Sequence, residues 1–458
     1  MKVAAFTPPA PPPRHAGGAA DIDIDIDIST LIEHAQQGAF SYFEAATDPA
    51  SGLVLDSTQP DSPCSITGLG MALTCYPIAV ERGWMTRQQA TAITLRTLRL
   101  LADADMSGSP QSAGHRGFYF HFLDMATGRR AWRSELSSID TSFLIAGALA
   151  AASFFDRDTG HEAEIRQVAR HLADRVDWAW MCNCDGAICH GWKPERGFLR
   201  YHWVGYNEAL LMYALALGAG RHRIPTSAWD EWLAGYRWRR IYGHEHLVAG
   251  PLFIHQYSHM WIDFRGIQDA FMRAKGIDYF ENSRRATLVQ REYAIRNPRH
   301  FRQYCQNCWG WTACDGPGPR QVTVDGRRRR LLGYAARGAP YGPDDGTVAP
   351  WASVASLPFA PDVVIPTMQH IARLMREYAD YLPGCSFNPT WGGGKHAPGW
   401  VSPWRFALNS APVVVMIENY RSGLPWELMK REPTIRRGLE RAGFRGGWLS
   451  AKPGQRLR

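Results

Sequence analysis

The carboxylate with the richest chemical surroundings is Glu208, in the stretch 201–218, YHWVGYNEALLMYALALG. Ahead of it stand Tyr201, His202, Trp203, Tyr206 and Asn207; behind it runs an apolar segment, Ala209 to Leu217, closed by Gly218. That run is long for a strand and fits a helix buried on all sides, with the glycine as its stop. Glu208 then falls in the first helical turn, where the positive end of the helix dipole accommodates a carboxylate. Taken alone, such a Glu has a purely structural role. The rings and hydrogen-bonding groups around it add a chemical one, because rings can stack on a sugar while a carboxylic acid protonates the departing glycosidic oxygen.

Similar clusters recur in other loops. SELSSID carries Glu135 and Asp140 at a second helix start. FIHQYSHMWIDFRGIQD supplies His255, Gln256, Tyr257, His259, Trp261, Asp263, Arg265 and Asp269. QYCQNCWGWTACDGPGP adds Trp309, Trp311 and Asp315, YAARGAPYGPDDGTVAP adds Arg337, Tyr341, Asp344 and Asp345, and FNPTWGGG adds Asn388 and Trp391. Each has a plain alternative: Asp263 with Arg265 makes a structural ion pair, and Gly-Pro-Asp-Asp-Gly is ordinary turn chemistry. The histidines of HQYSH lack a carboxylate at helical spacing, so contacts to sugar hydroxyls are preferred to a metal pair. Recurrence ahead of successive helices is the signal. Trp203, Tyr257, Trp309, Trp311 and Trp391 then read as sugar platforms in a cleft that cuts within a chain rather than at its end.

The elements that must position these groups are helical. Apolar, small-residue helices, such as the ones from about Ile139 and after Glu208, alternate with amphipathic ones such as HEAEIRQVARHLADRVDWAW. The helix after Glu208 pairs in this reading with TSAWDEWLAGY, and RGIQDAFMRAKG with YFENSRRATLVQREYAI. About a dozen helical segments in inner-then-outer pairs, with few strong strands, predict an all-α (α/α)6 toroid of six helical hairpins with a loop-built cleft at one end. A helical solenoid is the other architecture with this rhythm, but no fixed sequence period supports it. The chain divides into a proline-rich, Asp-Ile-repeating lead over residues 1–28, expected to be disordered, and a single domain over 29–458 with a Ser/Thr helix cap at its start.

Composition limits the alternatives. The chain has 18 Trp, 17 Tyr and 19 Phe, more rings than a core alone demands. Its net charge of +8 is scattered, and the Arg327–Arg330 run follows Asp325-Gly326 as a turn or hairpin, so nucleic acid is not the expected partner. No stretch approaches the roughly 20 apolar residues that cross a bilayer. The N-terminus lacks a secretory pattern, which gives a cytoplasmic expectation, or a periplasmic one if the true start differs. Six of the nine cysteines cluster, at Cys182, Cys184, Cys189 and at Cys305, Cys308, Cys314, and they do not have paired zinc spacing, so free thiols, no metal and no cofactor are expected.

The segments SELSSIDTSFLIAGAL, GYNEALLMYALALG, FIHQYSHMWIDFRGIQDAFMRAKGIDYFENSRRATLVQREYAIRNP, NCWGWTACDGPGP, GYAARGAPYGPDDGTVAPWASVASLPFAP and MIENYRSGLPW resemble the glycoamylase-like family of bacterial proteins. That family includes endo-β-1,2-glucanases and is related to the transglycosylating domain of cyclic β-1,2-glucan synthases. The resemblance covers nearly everything from Phe40 onward and implies an (α/α)6 toroid and a hydrolase or transglycosylase acting on β-1,2-glucan; a non-catalytic glucan-binding relative and a toroid glycosidase of other linkage specificity are the alternatives, and a monomer is expected. It implies Glu208 of YNEA as the acid, with Glu135 and Asp140 as further essential carboxylates. Ahead of MIENYR, where the family has an Asp-Gln-Gly type of segment, this chain has Asn409-Ser410-Ala411. Two carboxyl groups about 5 Å apart would give retention through a nucleophile, here Glu135; at roughly 6.5–9.5 Å a water held by Glu135 or Asp140 would give inversion.

Overall fold

The computed structural model describes residues 27–183, 186–376, 385–392 and 397–451. In chain order its helices are α1 (Ile28–Ala46), α2 (Ile66–Glu81), α3 (Arg87–Asp103), α4 (Ser138–Phe154), α5 (Gly160–Asp174), α6 (Trp178–Met181), α7 (Leu210–Gly218) and α8 (Ser227–Ala234). They continue with α9 (Ala270–Lys275), α10 (Tyr279–Arg296), α11 (Pro350–Val354), α12 (Pro361–Leu374), α13 (Ala407–Arg421), α14 (Leu424–Lys430) and α15 (Pro433–Arg441). Short 3₁₀ turns cover Leu252–His255 and Tyr257–Met260. Strands are confined to small sheets in the loops.

The inner ring runs α2, α4, α7, the 3₁₀ segment, α11 and α13, and closes where α13 packs on α2. Side chains bridge the less regular junctions. Ser258 Oγ donates to Glu208 O (3.0 Å) and accepts the Leu211 N–H (3.1 Å), and Gln256 Nε2 donates to Ala352 O (2.6 Å). Outside lie α3 and α5 against α2 and α4, α10 against the 3₁₀ segment, α12 against α11, and α1 against α13. The architecture is the expected α/α toroid. α2 and α4 are buried on nearly every face, which is why their sequences carry small and apolar residues without an amphipathic stripe.

Two pairings differ from the sequence reading. α7 packs most closely on α15, an element the sequence reading passed over, while α8 contributes Trp229 and Trp232 beside Tyr213. Gly438 looks like a helix breaker in PTIRRGLER, yet it is there for contact: a Cβ on it would stand 1.7 Å from Ala214 O. The inner partner of α10 is the FIHQYSHM segment, while RGIQDAFMRAKG forms only the short α9. At the N-terminus α1 begins at Ile28, because the Asp27 carboxylate accepts the Thr30 N–H (3.1 Å); the cap thus lies two residues ahead of Ser29. The rest of the expected lead, residues 1–26, lies outside the described residues. Among the described residues no helix is long and apolar enough to cross a membrane.

The tightest crossing in the ring is α2 on α4. A Cβ on Gly147 would lie 1.8 Å from Gly70 O, with no flexible side chain to give way. Gly→Ala inside a helix ordinarily stabilises it by ~0.5–1 kcal/mol. Gly147→Ala is expected to reverse that sign and cost about 1–3 kcal/mol through overpacking. Thermal unfolding measures it against Gly160→Ala, where nothing lies within 4 Å; equal effects of the two would refute the close-packing argument.

Candidate active site

The starts of the inner helices converge, and their loops bring together a group of carboxyls and one histidine. Asp140 sits in the first turn of α4, where Thr67 Oγ1 from α2 donates to Oδ1 (2.5 Å) and Ser137 Oγ donates to Oδ2. Glu135 precedes the same helix, and Glu208 stands in the turn two residues ahead of α7, so it lies just outside the first helical turn. Asn207 supports that helix start by accepting the Ala209 N–H (3.0 Å).

His121 joins two of these carboxylates. Its Nδ1 lies 3.1 Å from Glu135 Oε1 and its Nε2 lies 3.6 Å from Asp140 Oδ1. Burial alone would lower its pKa, but Asp140 and Glu135 outweigh that and hold the imidazolium up to about 9. The hydrogen bond from His121 holds Glu135 down to about 2, against burial and with help from Lys193 Nζ at 3.9 Å. Glu208 has the opposite environment. Burial pushes its carboxyl up to about 7, its own backbone N–H restrains the rise, and the charge of Asp140 adds to it. The site therefore holds one carboxyl that stays protonated until about pH 7 and another that is ionised above about pH 2, the division of roles acid catalysis needs.

Asp56, in the loop ahead of α2, is a further member. Its N–H donates to Pro63 O (2.7 Å) and its carbonyl accepts the Ala407 N–H (2.9 Å), so two loops pin the backbone. Burial raises its carboxyl, against Ser65 and His121, and Asp140 adds to the rise. Asp56 was legible by position, since it precedes an inner helix as Glu135 and Glu208 do. His121 had no such signal, because its partners are distant in sequence.

Several expected ligand-contacting residues lie in the interior, their polar groups used by the protein. Trp309 and Trp311 are fully buried, with indole N–H groups donating to Thr367 Oγ1 (2.9 Å) and Tyr304 OH (3.0 Å), so they are core rings and not open platforms. Arg337 is buried in an ion pair with Asp345 (2.8 Å), and Asp344 accepts from Tyr293 (2.8 Å) and Tyr304 (2.7 Å). Asn388 is buried and ties Thr347 Oγ1 to the 390–391 backbone. Asp269 caps α9 and accepts from Tyr279. Gln256 and His259 bond Ala352 O and Ser283 Oγ, His255 Nε2 lies 3.3 Å from Ala249 O, and all three are buried. Asp263 pairs with Arg265 and with Lys430, the structural alternative named for it. Asp315 accepts from Ser402 Oγ (2.9 Å), and Trp391 is half-buried beside Arg320 (5.8 Å).

Nearer the carboxyls, Trp203 is buried and its indole donates to Ser138 Oγ (3.0 Å), while His202 beside it is half-buried. Tyr206 is half-buried between His255 and Tyr279. Tyr257 feels the charges of Glu208, Asp140 and Asp56, and its hydroxyl donates to Leu408 O (3.0 Å). The large rings that do face outward from the loops preceding inner helices are Trp132 (65% exposed), Tyr201 (74%), Tyr334 (53%) and Tyr341 (60%). Cys64, Cys75, Cys305, Cys308, Cys314 and Cys385 are free thiols; Cys184 lies outside the described residues. Among the described residues no group of three or more His, Cys, Asp or Glu side chains is arranged to hold a metal.

The fold and the site together define a helical toroid with a carboxyl-lined cleft at the starts of its inner helices. The chain belongs to the Glycoamylase family, whose model matches residues 200–433. It is 28% identical over 450 residues to an exo β-1,2-glucooligosaccharide sophorohydrolase (non-reducing end) of Parabacteroides distasonis, over 90% of this chain. The chain spans 57% of the length of that relative. Its structure is similar to an endo-β-1,2-glucanase of Chitinophaga pinensis in complex with sophorotriose and glucose (TM-score 0.79, 25% identity, 93% of this chain and 100% of that one). It is also similar to a β-1,2-glucanase of Parabacteroides distasonis (TM-score 0.80, 25% identity, 91% of this chain and 60% of that one).

The His121 ion pairs give a defined pH dependence of stability. A histidine whose pKa rises on folding from 6.5 to about 9 stabilises fully below 6.5 and loses that contribution as pH rises through about 9. A glutamate lowered from 4.5 to about 2 stabilises fully above 4.5 and loses it as pH falls through about 2. The stability gap between wild type and His121→Gln should therefore be widest between pH 4.5 and 6.5 and shrink toward both limits. Thermal unfolding across pH measures it, and a gap constant from pH 5 to 9 would contradict the ion-pair account.

Proposed function

We propose that this protein is a glycoside hydrolase that cuts within β-1,2-glucan chains, with Glu208 as the general acid. One observation carries this reading: a carboxyl raised to about 7 by enclosure and by the charge of Asp140, which His121 links to an ionised Glu135. An acid at that pKa is protonated often enough near neutral pH to act and gives up its proton readily once the glycosidic oxygen begins to leave. The departing oxygen takes the proton of Glu208 while positive charge grows on the anomeric carbon. Glu135 and Asp140 stabilise that charge. Water then adds to the carbon and releases its proton into the carboxylate cluster, which restores the starting protonation state overall.

The substrate class is supported by the activities of the relatives, which share β-1,2-linked glucan. Cutting within the chain is supported by the exposed rings in several loops around the inner-helix starts, since a long chain can lie across such a rim on both sides of the acid. The partner is thus a glucan oligo- or polysaccharide.

Glu208→Gln keeps the side-chain shape and removes the proton, so turnover should fall by at least about 10²-fold, within the range of general acid catalysis, with the thermal transition near that of wild type. Sizing of products from linear β-1,2-glucan should give a ladder of oligosaccharides early in the reaction. Retained turnover in the variant would remove Glu208 from the acid role, and release of disaccharide alone from the first minutes would replace internal cutting by end-wise cutting.

A further inference from the structure

Beside the cleft, on the far side of His121, lies a groove of about 1,030 Å³ that includes Gln111, Asp124, Thr127, Arg129 and Trp132 in its lining. Its position follows from the chain: one wall comes from the loop ahead of α2 and the other from the loop ahead of α4. A stack of rings connects it to the carboxyl cluster. The His121 ring, bonded to Glu135, lies flat on Phe122 (4.0 Å, 14°), and Phe122 packs against Trp132 (4.9 Å).

The backbone at the groove edge is unusual. Trp132 and Arg133 are consecutive non-glycine residues in the left-handed region (φ 52° and 51°), a conformation that bulky side chains disfavour. The surroundings enforce it. Arg130, whose side chain is 2% exposed, donates from Nε to Ser134 O (2.5 Å) and from Nη2 to Arg133 O (2.9 Å). It is itself paired with Glu195 (2.6 Å). Lys193 Nζ donates to Arg133 O (3.0 Å) and also faces Glu135, so the turn is tied to the carboxyl cluster. Strain that the structure over-determines in this way, presenting a large ring to solvent instead of to a core, points to a use for the ring. The ring stands among an amide, a hydroxyl, a carboxylate and a guanidinium, the mixture that holds the faces and hydroxyls of sugars.

We propose that this groove is a distal glucan subsite, in which Trp132 stacks on a pyranose ring of the chain beyond the units held at the carboxyl cluster. The occupant is a continuation of the glucan whose bond is cut, so the inference rests on the hydrolase reading. The Phe122–Trp132 pair is the path from cleft to groove. The subsite rewards chain length: short oligosaccharides end before it, and long ones gain the stacking contact.

The test is a calorimetric titration of β-1,2-gluco-oligosaccharides of increasing length into Glu208→Gln protein, with and without Trp132→Ala. With Trp132 present, affinity should rise with length; Trp132→Ala should remove that rise and weaken the longest ligand by about tenfold, the upper end of a ring-stacking contribution. Trp132→Phe, which keeps a ring in the same turn, should restore most of it, and circular dichroism checks that all variants are folded. Affinity that rises with length equally in the presence and absence of Trp132, or that is insensitive to length in both, overturns the subsite. The hydrolase reading fails separately: wild type that binds long chains through Trp132 but does not cleave them would sink that reading and leave the subsite standing.

Discussion

Everything at the cleft depends on enclosing one carboxyl, that of Glu208, in surroundings that disfavour its charge. Burial raises it and the neighbouring Asp140 pushes the same way. Such a group can be held only on a rigid support, and the support is the tightly packed start of α7. Ser258 grips the backbone at the Glu208 carbonyl and at the Leu211 N–H one turn on. Asn207 caps the turn, and the glycines at 218 and 438 let α7 and α15 approach backbone to backbone.

Within the same cleft Glu135 has the opposite fate. The His121 imidazolium bonds it, Lys193 faces it, and its carboxylate stays ionised. Two glutamates from different helix starts are thus separated in pKa by surroundings alone. His121 does this from the loop ahead of α4 while also facing Asp140, so one ring bridges two carboxylates. Thr67 and Ser137 complete the arrangement by fixing the orientation of Asp140 with hydroxyl donors.

The toroid and the three leading carboxyls were legible in the sequence because both follow from local pattern: buried helices read as small and apolar, and each inner helix announces its start with a polar, ring-rich loop. Contacts between distant segments were not legible. His121 looks like one ring of an aromatic strand until folding sets it between Glu135 and Asp140. The same limit explains the rings. Sequence can count tryptophans, but Trp309 and Trp311 bond inward to Thr367 and Tyr304, whereas Trp132, in an ordinary-looking AWRS, is turned outward by a backbone conformation that no residue type there announces. α15 was hidden for a related reason, since Gly438 breaks a helical pattern locally and serves a contact that is visible only in three dimensions.

The most direct test of the enclosed acid is to observe its proton. Infrared difference spectra of wild type minus Glu208→Gln, recorded from pH 4.5 to 9, isolate the carboxyl stretch of this one side chain. The account predicts a protonated carboxyl band that persists at pH 6 and disappears with a midpoint near 7, as enclosure requires. A band already lost by pH 5.5, with the midpoint near the ordinary glutamate value of 4.5, would contradict it.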